Sequence, residues 1–282
     1  MSIRSLIPIV LLLSICSGVS ASAQERPYFV TYDHYLEERG NLEIAAATTV
    51  GLPKRDARVY AAPWLELEYG VLGWWTTEVY LEGVTSRGEG SAFTGWRFEN
   101  RFRPLKSEHR FNPVIYVEYE SITEASRIQK EIVGAGGLEF EPIAELNEEH
   151  EHEIEGKMIV SSAVRGWNVS ENFIIEKNLS HDEGFEFGYS FGVARPLGGL
   201  ASGTACRFCR ENISVGAELY GGLGSTEEFA RADQRHYLAP VVSWKVGDRA
   251  VVKGSVAFGL TETSDRYLIR FGVAYELPMG RR

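Results

Sequence analysis

The chain has 282 residues, of which 24% are charged and 44% hydrophobic, and a formal net charge of -10. That balance excludes wholesale disorder. The acidic excess, without any Lys/Arg run long enough to follow a phosphate backbone, argues against nucleic acid as a partner.

Residues 1–23 have the form of a secretory signal peptide. Arg4 supplies the positive start, Leu6 to Cys16 are almost wholly apolar, and Ala21-Ser22-Ala23 is a small-residue cleavage site, so cleavage is expected before Gln24. The apolar run is too short for the ~20 residues of a spanning helix. A lipoprotein anchor at Cys16 is disfavoured because Ile15 precedes it where a small residue is expected. No later stretch approaches a transmembrane helix. A membrane crossing must therefore use strands, because only helices and closed barrels satisfy every backbone group in lipid. Residues 24–40 are expected to be a periplasmic N-terminal segment. With Tyr28, Phe29, Tyr32 and Tyr35, it either folds inside a barrel or extends the first strand.

Residues 41–277 carry period-two alternation in runs of about ten residues separated by turn signals. Strands are predicted at Asn41 to Val50, Val59 to Tyr69, Trp74 to Ser86, Ala92 to Arg103, Pro113 to Ile122 and Glu153 to Val164. Six more follow at Val169 to Leu179, Phe185 to Arg195, Ile213 to Gly222, Tyr237 to Val246, Val252 to Thr261 and Arg266 to Leu277, with a tail at 278–282. The last shows the pattern best. Tyr267, Ile269, Phe271, Val273, Tyr275 and Leu277 share one face, and Arg266, Leu268, Arg270, Gly272, Ala274 and Glu276 the other. Twelve strands, within a range of ten to fourteen, make an all-β transmembrane antiparallel up-and-down barrel in a bacterial outer membrane, with both termini on one side.

Tyr69 to Gly73, Arg165 to Asn168 and Gly247-Asp248-Arg249 then become short periplasmic turns, and the acidic stretch from Thr123 to His152 a long outer loop. Leu197 to Asn212 is long for the periplasmic connection that the count makes it. A soluble β-sandwich or lipocalin-like barrel would bury its apolar faces. Here those faces carry Trp75, Trp96, Phe98, Tyr119, Phe187, Tyr189 and Phe191, and the opposite faces carry paired charge, which lipid outside and a polar lumen inside explain together. Trp74, Trp75, Trp167, Trp244 and Tyr275 fall at the level of a periplasmic aromatic girdle.

The inward faces collect Glu66, Glu68, Glu78, Glu82, Glu99, Glu118, Glu120, Glu155, Glu176, Glu186, Glu218 and Glu276 against Arg97, Arg101, Arg103, Lys157, Lys245, Lys253, Arg266 and Arg270. Such a lattice is either an electrostatic filter across a pore or the ion-paired filling of a narrow barrel. The acidic excess among the early strands predicts that an open pore would favour cations.

Cys206 and Cys209 form a Cys-x-x-Cys that, in an exported protein, reads as a small loop-closing disulfide. Zinc would need two more ligands, and Arg210 in place of His excludes c-type haem attachment. His150 and His152 share a face of extended chain and are a weak candidate pair of metal ligands; a solvated acidic loop is the commoner meaning of such a run. No cofactor is implied. Catalysis finds little support: there is no Gly-x-Ser-x-Gly elbow, and neither His181 nor His236 lies in a motif with a serine.

The segments His236 to Lys245 and Tyr267 to Leu277 resemble outer-membrane barrel proteins described as putative transporters, including the family linked by name to phenol degradation. The resemblance covers the last third of the chain. It implies export and solute passage but supplies no substrate and no catalytic residues. The closing strand is also similar to the signal read by the barrel-assembly machinery, departing from it by ending in Leu277 rather than Phe. The expected partners are thus the lipid bilayer, that machinery and small-molecule solutes. A channel or transporter for small solutes is the leading expectation; a closed structural or surface-interaction barrel is the alternative, and a barrel enzyme the third.

Overall fold

In the computed structural model, the described residues are 26–54, 58–123, 126, 150–198 and 212–279. The expected signal peptide, residues 1–23, and the Cys206/Cys209 pair lie outside them. Twelve antiparallel strands form one closed barrel: β1 (Asn41–Leu52), β2 (Tyr60–Leu72), β3 (Trp75–Ser86), β4 (Gly90–Phe102), β5 (Asn112–Thr123), β6 (His150–Val164), β7 (Trp167–Asn178), β8 (Glu186–Pro196), β9 (Ile213–Ser225), β10 (His236–Val246), β11 (Ala250–Gly259) and β12 (Tyr267–Pro278). Each strand pairs with its sequence neighbours. Closure comes from β1 against β12, in register from Asn41 opposite Pro278 to Leu52 opposite Tyr267, so no strand edge is left unpaired.

Alternation sets the two surfaces. Along β7 every second residue is buried, beginning with Asn168, while Trp167, Val169, Phe173 and Ile175 stand outward. The same holds around the wall, where Trp96, Phe98, Ile154, Met158, Phe191, Phe258, Ile269 and Phe271 form an apolar outer belt. The short β2–β3, β6–β7 and β10–β11 turns lie at one end, and the short β3–β4 turn at the other. Arg165 and Gly166, with φ of 53° and 80°, make the two-residue turn between β6 and β7, the left-handed pair that suits the twist of a hairpin. At that end Trp74, Trp75 and Phe102 gather with ring centroids 6.0–6.4 Å apart.

Of the two placements open to the N-terminal segment, the structure takes the first: residues 26–38 are not a periplasmic segment but run inside the barrel, where Tyr28, Thr31, Asp33 and His34 are fully buried. Only at Gly40 does the chain reach the rim, donating to the Gly70 carbonyl at 2.7 Å. The reason is side-chain supply: the segment's aromatics fill gaps that inward-facing strand residues leave. Tyr32 packs with Val114, Tyr116 and Ile159, and Tyr28 with Ala194 and Val241. Arg266 is likewise not an interior charge. It precedes β12 at the rim, is exposed, and donates to the Lys54 carbonyl at 3.3 Å.

Candidate functional site

The barrel interior holds two kinds of structure: a seat for the inner segment and a lattice of charge. The seat is built by β6–β9. Glu218 accepts three consecutive backbone N–H groups, from Phe29, Val30 and Thr31, at 3.1, 2.8 and 2.7 Å. Asn172 treats Tyr32 as a strand neighbour would, accepting its N–H at 2.7 Å and donating to its carbonyl at 2.8 Å. Ser170 donates to the same carbonyl. Asn168 donates to Asp33 at 2.7 Å and accepts the Tyr28 hydroxyl at 3.0 Å.

His34 lies against Ser161, whose hydroxyl oxygen accepts the His34 N–H at 2.9 Å and also meets Nδ1. Burial holds the His34 imidazole down near 4, so it stays neutral and its Nδ1 can accept the Ser161 proton. Ser161 is itself fully buried, which makes this pair a seat contact. Burial pushes the Asp33 carboxyl up to about 6, against the lowering effect of its bonds from the Tyr35 N–H and Asn168. Space matters as much as polarity. A Cβ on Gly192 would come within 2.8 Å of the Tyr28 ring, and one on Gly70 would strike the Glu38 carbonyl, so both glycines mark close approaches of the segment to the wall.

The charge lattice occupies β2–β6. Arg101, 2% exposed, meets Glu68 at 2.6 Å, Glu99 at 3.0 Å, and Glu78. Arg97 bridges Glu82 at 2.7 Å and Glu118 at 3.0 Å, and Lys157 meets Glu155 at 2.7 Å. Arg26, from the inner segment, pairs with Glu66 at 3.3 Å and lies over the Tyr32 ring. Tyr32 ties the segment to the lattice by donating to Glu99 at 2.9 Å. Glu120 is buried beside Glu153 and Glu176, and all three have further partners. Arg103 sits at the rim, donating to the Gly73 carbonyl at 3.1 Å, and so braces a turn. Arg270 is buried in the β12 wall, with its guanidinium over the Tyr220 ring.

His150 and His152 begin β6 and are exposed on its outward face; the Tyr119 hydroxyl lies 2.8 Å from His152 Nδ1. His181 meets Glu151, and the His236 ring meets the Tyr189 hydroxyl and the Arg231 carbonyl. Sequence reasoning singled out Glu218 but missed Asn168, Asn172, Ser161, Ser170 and Gly192. Their one common signal is small or neutral polar side chains on inward parity where charge prevails elsewhere.

What the segment and the walls leave between them is a cavity of about 160 Å³, running along the inner faces of β12, β1 and β2. Ser126, from the connection after β5, reaches the same space.

No protein-family model matches the chain, and no curated protein sequence does. Solved structures do. The outer-membrane channel of Pseudomonas putida F1 is similar over 89% of this chain and all of its own, at 9% identity and a TM-score of 0.58. The KdgM porin is similar over 83% of this chain and 98% of its own, at 8% identity and 0.51, and the NanC porin over 84% and 100%, at 10% and 0.51. The fold is that of a bacterial outer-membrane barrel. These likenesses do not establish the phenol-degradation-linked family.

Proposed function

We propose that the protein is an outer-membrane channel for small solutes whose interior is narrowed by its own N-terminal segment. The observation that carries this is the cavity beside the segment, a space bounded by a closed barrel wall on one side and by the inner segment on the other. The likeness to the Pseudomonas channel and to the KdgM and NanC porins supports a channel role. Cleavage before Gln24 would make the segment the mature N-terminus, and the alternating closing strand is what the barrel-assembly machinery would read. In this reading the Glu/Arg lattice is a fixed, paired wall that holds the segment, and selectivity belongs to the cavity lining. Membership of the phenol-degradation-linked family rests on the last hairpin alone.

One observation favours the alternative of a closed structural barrel: the segment is bonded along most of its length. Planar-bilayer recordings of the refolded protein decide between them. A channel gives small currents that rise several-fold when Glu218→Ala and Asn172→Ala are combined to loosen the seat. No current above the lipid baseline in either protein, at either polarity, assigns the closed barrel.

A further inference from the structure

The acidic excess of the sequence predicts a cation-selective lumen, but the carboxylates are not distributed evenly through the space left open. The cavity is lined by three of them, Glu66, Glu82 and Glu155, and each already meets a cation in the same lining: Arg26 at 3.3 Å, Arg97 at 2.7 Å and Lys157 at 2.7 Å. Two more cations line it, Lys253 and Arg270, of which Arg270 already has partners of its own. They stand on neighbouring strands, because Lys253 is opposite Gly272 and Arg270 opposite Ser255, so they are diagonal neighbours on the inner face. Such positions lie roughly 7–8 Å apart, near enough for one small anion to touch both.

The wall beside them is built of small side chains. Gly272 and Ala274 on β12, and Ala45 and Ala47 on β1, keep the wall low, which is why the cavity lies here. Among the described residues Lys253 makes no ion pair within 4 Å: Glu66, already held by Arg26, acts on it only through space, and the Phe29 ring lies 6.0 Å from the ammonium. An ammonium left facing a cavity in a partly dehydrated interior is electrostatically incomplete, and a carboxylate completes it. Apart from Thr49 and Ser126, the rest of the lining is aromatic or aliphatic, with Phe29, Trp64 and Tyr80 facing the same space. A cavity of comparable size, on the order of 150 Å³, accommodates benzene.

We propose that this cavity binds a small organic carboxylate of about benzene size, its anionic end at Lys253 beside Arg270 and its apolar body against Phe29 and Trp64. The proposal deepens the channel reading by naming the solute class, but its test needs no conduction, so the two can fail separately.

The test is calorimetric titration of the refolded full-length protein in detergent with benzoate, benzyl alcohol and benzylamine. These probes share a ring and differ in charge. Benzoate should bind saturably, with the alcohol about tenfold weaker, as expected for loss of one charged contact, and the amine weaker still. Lys253→Gln should weaken benzoate about tenfold or more, Lys253→Arg should retain most of it, and Lys245→Gln, outside the lining, should change nothing. A heat-modifiable gel shift confirms that each variant forms the barrel. Should Lys253→Gln not fold, the three-ligand comparison on the unaltered protein still decides. No saturable benzoate binding, equal binding of the alcohol, tighter binding of the amine, or an indifferent Lys253→Gln would each overturn the proposal.

Discussion

The wall of β12 and β1 and the wall of β3–β5 face the same interior and fill it in opposite ways. The first presents Gly272, Ala274, Ala45 and Ala47, and a cavity lies against it. The second presents Glu78, Tyr80, Glu99, Arg101, Tyr116 and Glu118, all buried and bonded to one another or to the inner segment. Side-chain volume, not charge, therefore decides where space remains. The densely charged wall is the filled one, reaching the cavity only through Tyr80, Glu82 and Arg97. The sparsely substituted wall, with Arg270 on β12 and Lys253 on the adjoining β11, borders the opening.

The largest expected effect falls on the filled wall. Arg101→Ala leaves Glu68, Glu78 and Glu99 buried without their common guanidinium, and breaking a buried ion pair from one side costs about 3–5 kcal/mol. The temperature at which the heat-modifiable band unfolds should drop sharply; an unchanged band would show that water, not Arg101, solvates those carboxylates. Next comes the seat between the walls. Glu218→Ala removes the acceptor of three N–H groups, each bond to a charged group being worth about 1.5–3 kcal/mol before compensation by water. Proteolysis within residues 26–38 should accelerate while the barrel's own unfolding temperature barely moves.

A smaller effect follows from Asp33. Its carboxyl is raised in the folded state to about 6, so its contribution is fully present below the ordinary carboxylate value and is lost as pH rises through about 6. A shift of that size is worth at most about 3 kcal/mol. The segment should be held more tightly at pH 5 than at pH 7.5, giving smaller currents at the lower pH, and Asp33→Asn should abolish the difference. The least disturbance to the fold is expected from the open wall. Ala47→Phe places a ring in the cavity beside Gly272 and the Phe29 ring and should cost about 1 kcal/mol, because only the Phe29 ring must shift. Passage and benzoate binding should nevertheless be lost; retention of both would place the path elsewhere in the barrel.

All twelve strands were legible in the sequence because lipid on one side and a polar interior on the other enforce strict alternation, and alternation is a local property. The ends were less so. β1 runs on through Gly51 to Leu52, and β2 through Gly70 to Leu72, because ladder hydrogen bonds continue across residues whose side chains carry no pattern. Facing was equally legible: parity puts Glu66, Glu68, Glu78, Glu99, Arg101 and Glu118 on one face, and all six are buried. Parity gave no depth, however, and so it counted Arg266 and Arg103 as interior when both lie at the rim.

Export, strand number and the identity of the two barrel faces were thus determined by the sequence itself, since each depends on residues close together in the chain. Three things were decided only by the tertiary structure: that residues 26–38 lie inside, which cation each carboxylate meets, and that Lys253 borders open space. An inward asparagine reads the same whether it faces water or a backbone 140 residues away, as Asn172 faces Tyr32. Only closing the barrel brings such partners together, and only their volumes determine what stays empty.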